Sequence, residues 1–125
     1  MTIVPIYAAL LAIGYLALAV GVIRLRQSRR ISIGVGTDDD LERAVRVHSN
    51  FGEYVPFALL LLFMAEMQGA SHIVLNLLCI LLLVGRGAHA WGLSKGDLRF
   101  RTVGVVATFS VIAAVSLMLL RFALK

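Results

Sequence analysis

Residues 3–23 read IVPIYAALLAIGYLALAVGVI, 21 positions without one charged side chain. A bilayer hydrocarbon core of about 30 Å needs about 20 helical residues, so this run is long enough to cross one. Ala17-Leu18-Ala19 resembles a signal-peptidase site. However, no basic side chain precedes the run and the arginines follow it, which marks a retained first helix. The rest of the chain is of the same kind. Of its 125 residues, 60% are hydrophobic and 15% charged, where soluble domains carry about 45–50% and about 25%. Mean hydropathy is +0.92. These values exclude a soluble globular enzyme, a disordered tail and a disulfide-stapled secreted module. The length suits a single domain, residues 1–125.

Three more spans are expected. The second contains the apolar run Phe51 to Met67, but helical periodicity begins near Asp39, after the capping stretch Thr37-Asp38-Asp39-Asp40. The four helices are therefore placed at about 3–23, 39–67, 71–91 and 102–121, an all-α bundle of four transmembrane helices. Gly104 and Thr108 form a small-xxx-small pair in the last span, and small residues recur along the first, both suited to close helix approach. The stretch Ile31 to Gly36 is the one segment where a mobile lid could sit.

The formal net charge is +5. The basic residues cluster at the ends of apolar runs, which points to a membrane and not to nucleic acid. The first loop holds Arg24, Arg26, Arg29 and Arg30, the third Lys95, Arg99 and Arg101, and the second turn, Glu66 to His72, has no Lys or Arg. The positive-inside rule places loops one and three in the cytoplasm and both termini outside, against which Arg121 and Lys125 weigh little. The lone Cys79 lies among leucines and no Cys/His spacing suits a metal, so no metal site is expected.

The informative residues are polar ones at membrane depth, where a charge costs about 2.5–3.5 kcal/mol on insertion scales and needs a partner or a purpose. Arg46, Asn50 and Glu53 are spaced i, i+4, i+7 and form one stripe on the second helix. Arg86 and His89 are i, i+3 neighbours on the third helix, and Arg101 opens the fourth on the same side of the membrane. Three arginines thus share one level with a single nearby carboxylate, Glu53, an excess of positive charge that predicts an anionic ligand. Two readings stand side by side. The arginines can snorkel to lipid headgroups, or the stripe can be a buried network in which Glu53 pairs with Arg86. Glu66, at the other end of the second helix, reads as an outer-interface residue.

The run Glu42-Arg43-Ala44-Val45-Arg46-Val47-His48-Ser49-Asn50-Phe51-Gly52-Glu53-Tyr54-Val55-Pro56-Phe57 resembles the helix-two signature of the MAPEG superfamily, the membrane-associated proteins in eicosanoid and glutathione metabolism. Gly85-Arg86-Gly87-Ala88-His89 and Arg101-Thr102 resemble the family's patterns on helices three and four, so the likeness extends over essentially the whole chain. The nearest branch in character is the bacterial, microsomal glutathione S-transferase-like one, which implies an inner-membrane protein with its site on the cytoplasmic side.

The resemblance implies a left-handed four-helix bundle assembled as a homotrimer, with glutathione as co-substrate between neighbouring subunits. By motif position Arg46, Asn50, Glu53 and Tyr54 would hold the tripeptide, and Arg86 would pair with Glu53 or the ligand. His89 would add a contact, Arg101 would activate the thiol, and Thr102 stands where prostaglandin-synthase relatives have a serine. Glutathione carries two carboxylates and one ammonium, which an arginine-rich site with one carboxylate complements. A nearby guanidinium would favour the thiolate over the thiol, whose ordinary pKa is near 8.5. Lowering it by about two units needs about 2.7 kcal/mol. The expected function is a glutathione-dependent membrane transferase or peroxidase, its thiolate attacking a lipophilic electrophile that partitions in from the membrane lipid.

Ser49, Leu93 and Val105 stand where prostaglandin-synthase relatives have an arginine and two tyrosines, which argues against a prostaglandin or leukotriene synthase. The alternatives are a non-catalytic membrane protein that binds lipid or a small anion at the same basic site, and a proton-coupled exporter. The exporter would need a carboxylate in its first helix, and residues 3–23 contain none.

Overall fold

The computed structural model describes residues 2–124; Lys125 lies outside the described residues. Four helices account for nearly all of it: α1 (Val4–Arg29), α2 (Asp39–Met67), α3 (His72–Lys95) and α4 (Leu98–Ala123). Each has an identifiable start or stop. Pro5 lies in the first turn of α1, where its missing N–H leaves no bond unmade. Asp38 caps α2, its side chain accepting from the Leu41 N–H at 2.8 Å, and Asp39, Asp40 and Glu42 follow in the first turn. Asp97 caps α4 by accepting from the N–H groups of Arg99 and Phe100. Gly96 ends α3 with φ +72°, the left-handed conformation that glycine adopts without strain.

The helices outrun the apolar stretches that define them in the sequence. α1 continues through its basic tail to Arg29, α3 to Lys95, and α4 begins at Leu98. α1, α3 and α4 are long and apolar enough to cross a membrane. Charges dilute the apolar character of α2, yet its 29 residues make it the longest of the four at about 44 Å. Its two ends settle its course. Arg29 at the end of α1 bridges Asp38 at the start of α2 (3.0 Å). At the other end, the Glu66 carboxylate accepts from the N–H groups of Ile3 and Val4. α2 therefore runs antiparallel to α1 along its full length and crosses the same thickness.

α3 and α4 form the closest pair, α2 packs against the other three helices, and α1 touches α2 and α3 but not α4 among the described residues. The α3–α4 approach depends on missing side chains. A Cβ on Gly104 would fall 2.5 Å from the His89 Cβ and 2.6 Å from the Gly85 carbonyl oxygen, and one on Gly92 would fall 2.5 Å from the Arg101 nitrogen. Thr108, one turn below Gly104, is buried and donates its hydroxyl to the Gly104 carbonyl (2.9 Å). The apolar core is built mainly by α2, α3 and α4 around Ala58, Leu62, Leu75, Cys79, Leu82 and Val111. The segment where a lid could sit, Ile31 to Gly36, is a tied-down connector. Arg26 donates to the carbonyls of Ile31, Ser32 and Gly34, the last at 2.8 Å.

Candidate functional site

The basic end of the bundle holds an open cavity of about 370 Å³ lined by Asp39, Glu42, Arg43, Arg46, Leu93 and Arg101. Three helices contribute. α2 presents residues 39, 42–43 and 46, one face at i, i+3/i+4, i+7 spacing. Arg101 comes from the first turn of α4 and Leu93 from the last turns of α3, held together by the contact that Gly92 allows. Arg46 is exposed (73% of its side chain) and lies 3.9 Å from Glu42, a solvated pair of small energetic weight. Arg43, Arg46 and Arg101 thus face one space that also contains two carboxylates.

Two expected ligand contacts lie elsewhere. Arg86 is only 3% exposed. Its Nη1 donates to the Asn50 Oδ1 at 2.9 Å, which joins α3 to α2 one turn below Arg46. His89 is equally buried, against the Gly104 position of α4. Neither lines the basic cavity. The structure differs from the sequence expectation at Glu53. Among the described residues it makes no ion pair with Arg86, whose bonded partner is Asn50. Glu53 is exposed, fourteen residues from either end of α2, so the Arg46/Asn50/Glu53 stripe is not a closed network within the chain. Stereochemistry explains the outcome. Asn50 faces α3, and 300° of helical rotation carries Glu53 past that contact to an open face. Tyr54 returns toward α4 and packs on Phe109, ring centres 5.3 Å apart. Thr102 turns its hydroxyl back to the Leu98 carbonyl at 2.8 Å, on the exposed side of α4.

Arg43, Asp39 and Glu42 line the cavity although the sequence assigned none of them to the site: Glu42 and Arg43 only open the signature run, and Asp39 was read with the helix cap. Their signal was there: they share the helical face of Arg46. Glu66 is the other residue whose part was not foreseen. It is no solvated interface group but the acceptor that closes the start of α1, beside a Tyr7 hydroxyl that donates to Asn76 at 2.9 Å.

A four-helix membrane bundle with guanidinium groups gathered at one end defines a class, and the comparisons agree with it. The MAPEG family model matches residues 4–121. The inner membrane protein YecN of Escherichia coli K12 is 36% identical over 104 residues, covering 83% of this chain and 79% of that protein. YecN of Escherichia coli O6:H1 matches to the same extent. The chain belongs to the MAPEG family and is an integral, multi-pass protein of the inner membrane.

Proposed function

We propose that the protein is a glutathione-dependent transferase of the inner membrane, taking its second, lipophilic substrate from the bilayer. The observation that carries this reading is the cavity shared by Arg43, Arg46 and Arg101, with Asp39 and Glu42 on its rim. Its charges complement glutathione: guanidinium forks for the two carboxylates, a carboxylate for the ammonium. Arg101 is the group suited to hold the thiolate, since it faces the cavity from α4 while Arg46 faces it from α2. Thr102 lies beside it but spends its hydroxyl on its own helix. Asn50, Arg86 and His89 support the site from behind, as fixed dipole and charge.

The same reading assigns Glu53 to a contact between copies, while Tyr54 packs on Phe109 of its own chain. A carboxylate midway along a membrane helix cannot face lipid at modest cost, and Glu53 is exposed on the single chain. A neighbouring copy in a homotrimer would cover that face and turn the open cavity into a cleft between subunits.

The test is to mix the purified protein with glutathione at neutral pH and follow thiolate ultraviolet absorbance and the melting temperature. Both are expected to rise, and Arg101→Ala is expected to abolish the thiolate signal. An unchanged absorbance together with an unchanged melting temperature overturns the reading. The exposure of Arg46 and Arg101 favours a second one, a non-catalytic site for a lipid headgroup or small anion. It expects stabilisation by anionic lipid and none by glutathione.

A further inference from the structure

The hairpin of α3 and α4 carries a patch that the basic cavity does not use. Trp91 and Phe100 pack edge to face across it, ring centres 4.7 Å apart, and both remain about half exposed (51% and 46%). Lys95, one turn beyond Trp91, and Arg99, next to Phe100, are exposed. None of the four lines the basic cavity. We propose that this patch holds one anionic phospholipid of the cytoplasmic leaflet, its phosphodiester between Lys95 and Arg99 and an acyl chain against Trp91, Phe100 and the valines below them.

Three observations support it. The first is depth. The Tyr7 hydroxyl bonds Asn76, and α1 and α3 run in the same direction, both antiparallel to α2. Ile23, the last of the uncharged run, therefore stands level with Gly92, sixteen residues further along each helix. That puts the Trp91–Phe100 pair at the bilayer edge, where aromatic rings suit the boundary between chains and headgroups. Lys95 lies about 4.5 Å beyond it, at phosphate level. The second is charge. Among the described residues neither Lys95 nor Arg99 has an ion pair. The carboxylate between them, Asp97, is turned to the cap of α4, where it accepts from the Arg99 and Phe100 N–H groups. Two neighbouring cations thus lack a counter-charge on the side of the membrane whose lipids are anionic.

The third observation is what lies below. Val84, two turns before Trp91 on α3, and Val103, one turn after Arg99 on α4, are both exposed. Trp91 lies about 140° round α3 from Arg86, the residue that faces α2, so this surface looks away from the bundle. A ligand that meets both parts needs a charged head and an apolar chain within one leaflet. A free phosphate makes no use of the valines, and an acidic protein segment in the cytoplasm does not reach them. A phospholipid spans both.

The experiment counts lipids retained by the purified full-length protein in native mass spectrometry and follows its melting temperature. The probes are dioleoyl phosphatidylglycerol, dioleoyl phosphatidylcholine, glycerol 3-phosphate and a hexaglutamate peptide. Phosphatidylglycerol is expected to be retained and to raise the melting temperature, and the other three are expected to do neither. Lys95→Gln and Arg99→Gln should each weaken retention about fivefold, and Trp91→Ala should weaken it as well. Arg24→Gln, which removes a cation at the same level on α1, and Arg46→Gln in the basic cavity should leave it unchanged. These two controls separate the patch from general attraction to a positive surface and from the glutathione cavity. The choline lipid, glycerol phosphate or the peptide acting as well as phosphatidylglycerol, equal weakening by Arg24→Gln, or undiminished retention by both Lys95→Gln and Arg99→Gln each overturns the proposal. The lipid comparison uses the unaltered protein, so it decides the matter even if a variant does not fold.

Discussion

The two ends of the bundle treat their polar groups in opposite ways. At the end where α1 begins, every polar group singled out has a partner in the chain. Glu66 receives two backbone N–H groups, Tyr7 bonds Asn76, and Asn76 bonds the His72 carbonyl. At the basic end Arg26 and Arg29 are likewise bonded, but Arg86 has two buried nitrogens without partners and Arg46 has only a solvated, 3.9 Å contact, while Glu53, midway along α2, has no ion pair among the described residues. Polar residues that satisfy one another belong to the fold. Polar residues left wanting, in a setting where each unmade bond is costly, point to something that arrives from outside.

The contrast can be broken in three places, in decreasing order of effect. Gly104→Leu is expected to destabilise the protein by more than about 3 kcal/mol, read as loss of folded protein in detergent. Its Cβ would collide with His89 and the Gly85 backbone. A well-folded variant would show that the two helices can part and that the basic end is softer than its packing implies. Glu66→Ala should lower stability by about 2 kcal/mol, since it strips a charged acceptor from the first two donors of α1. A variant with the parent melting temperature would mean that water serves those donors equally well. Arg86→Met should change the stability of the unliganded protein by no more than about 1 kcal/mol, because relief from an uncompensated cation offsets the lost bond to Asn50. A loss above about 3 kcal/mol would mean that the guanidinium already has a counter-charge within the folded protein.

Most of the fold was legible in the sequence. Apolar runs, caps and basic loops mark four crossings, because in lipid the backbone must satisfy itself and only a few solutions exist. Helix ends were less legible, since hydropathy stops at the bilayer edge while hydrogen bonding carries α1 on to Arg29. The candidate site was legible as a set of residues and not as a set of contacts. The spacing of Arg46, Asn50 and Glu53 fixes a common stripe, but whether each member faces α3, α4 or open space depends on how far α2 is rotated in the bundle, which no single helix encodes. Glu66 was unreadable for the same reason: its partners lie more than sixty residues away, and nothing local distinguishes a capping carboxylate from a solvated one.

The uneven attachment of α1 has a bearing on biogenesis. α3 and α4 form a hairpin with a two-residue link, Gly96-Asp97, and the most extensive mutual surface in the molecule, so they can assemble as soon as both are inserted. α1 leaves the ribosome first, but the carboxylate that fastens its leading edge comes some sixty residues behind it. The earliest span therefore has to wait in the bilayer and docks once α2 is complete, when α2 fastens it at both ends.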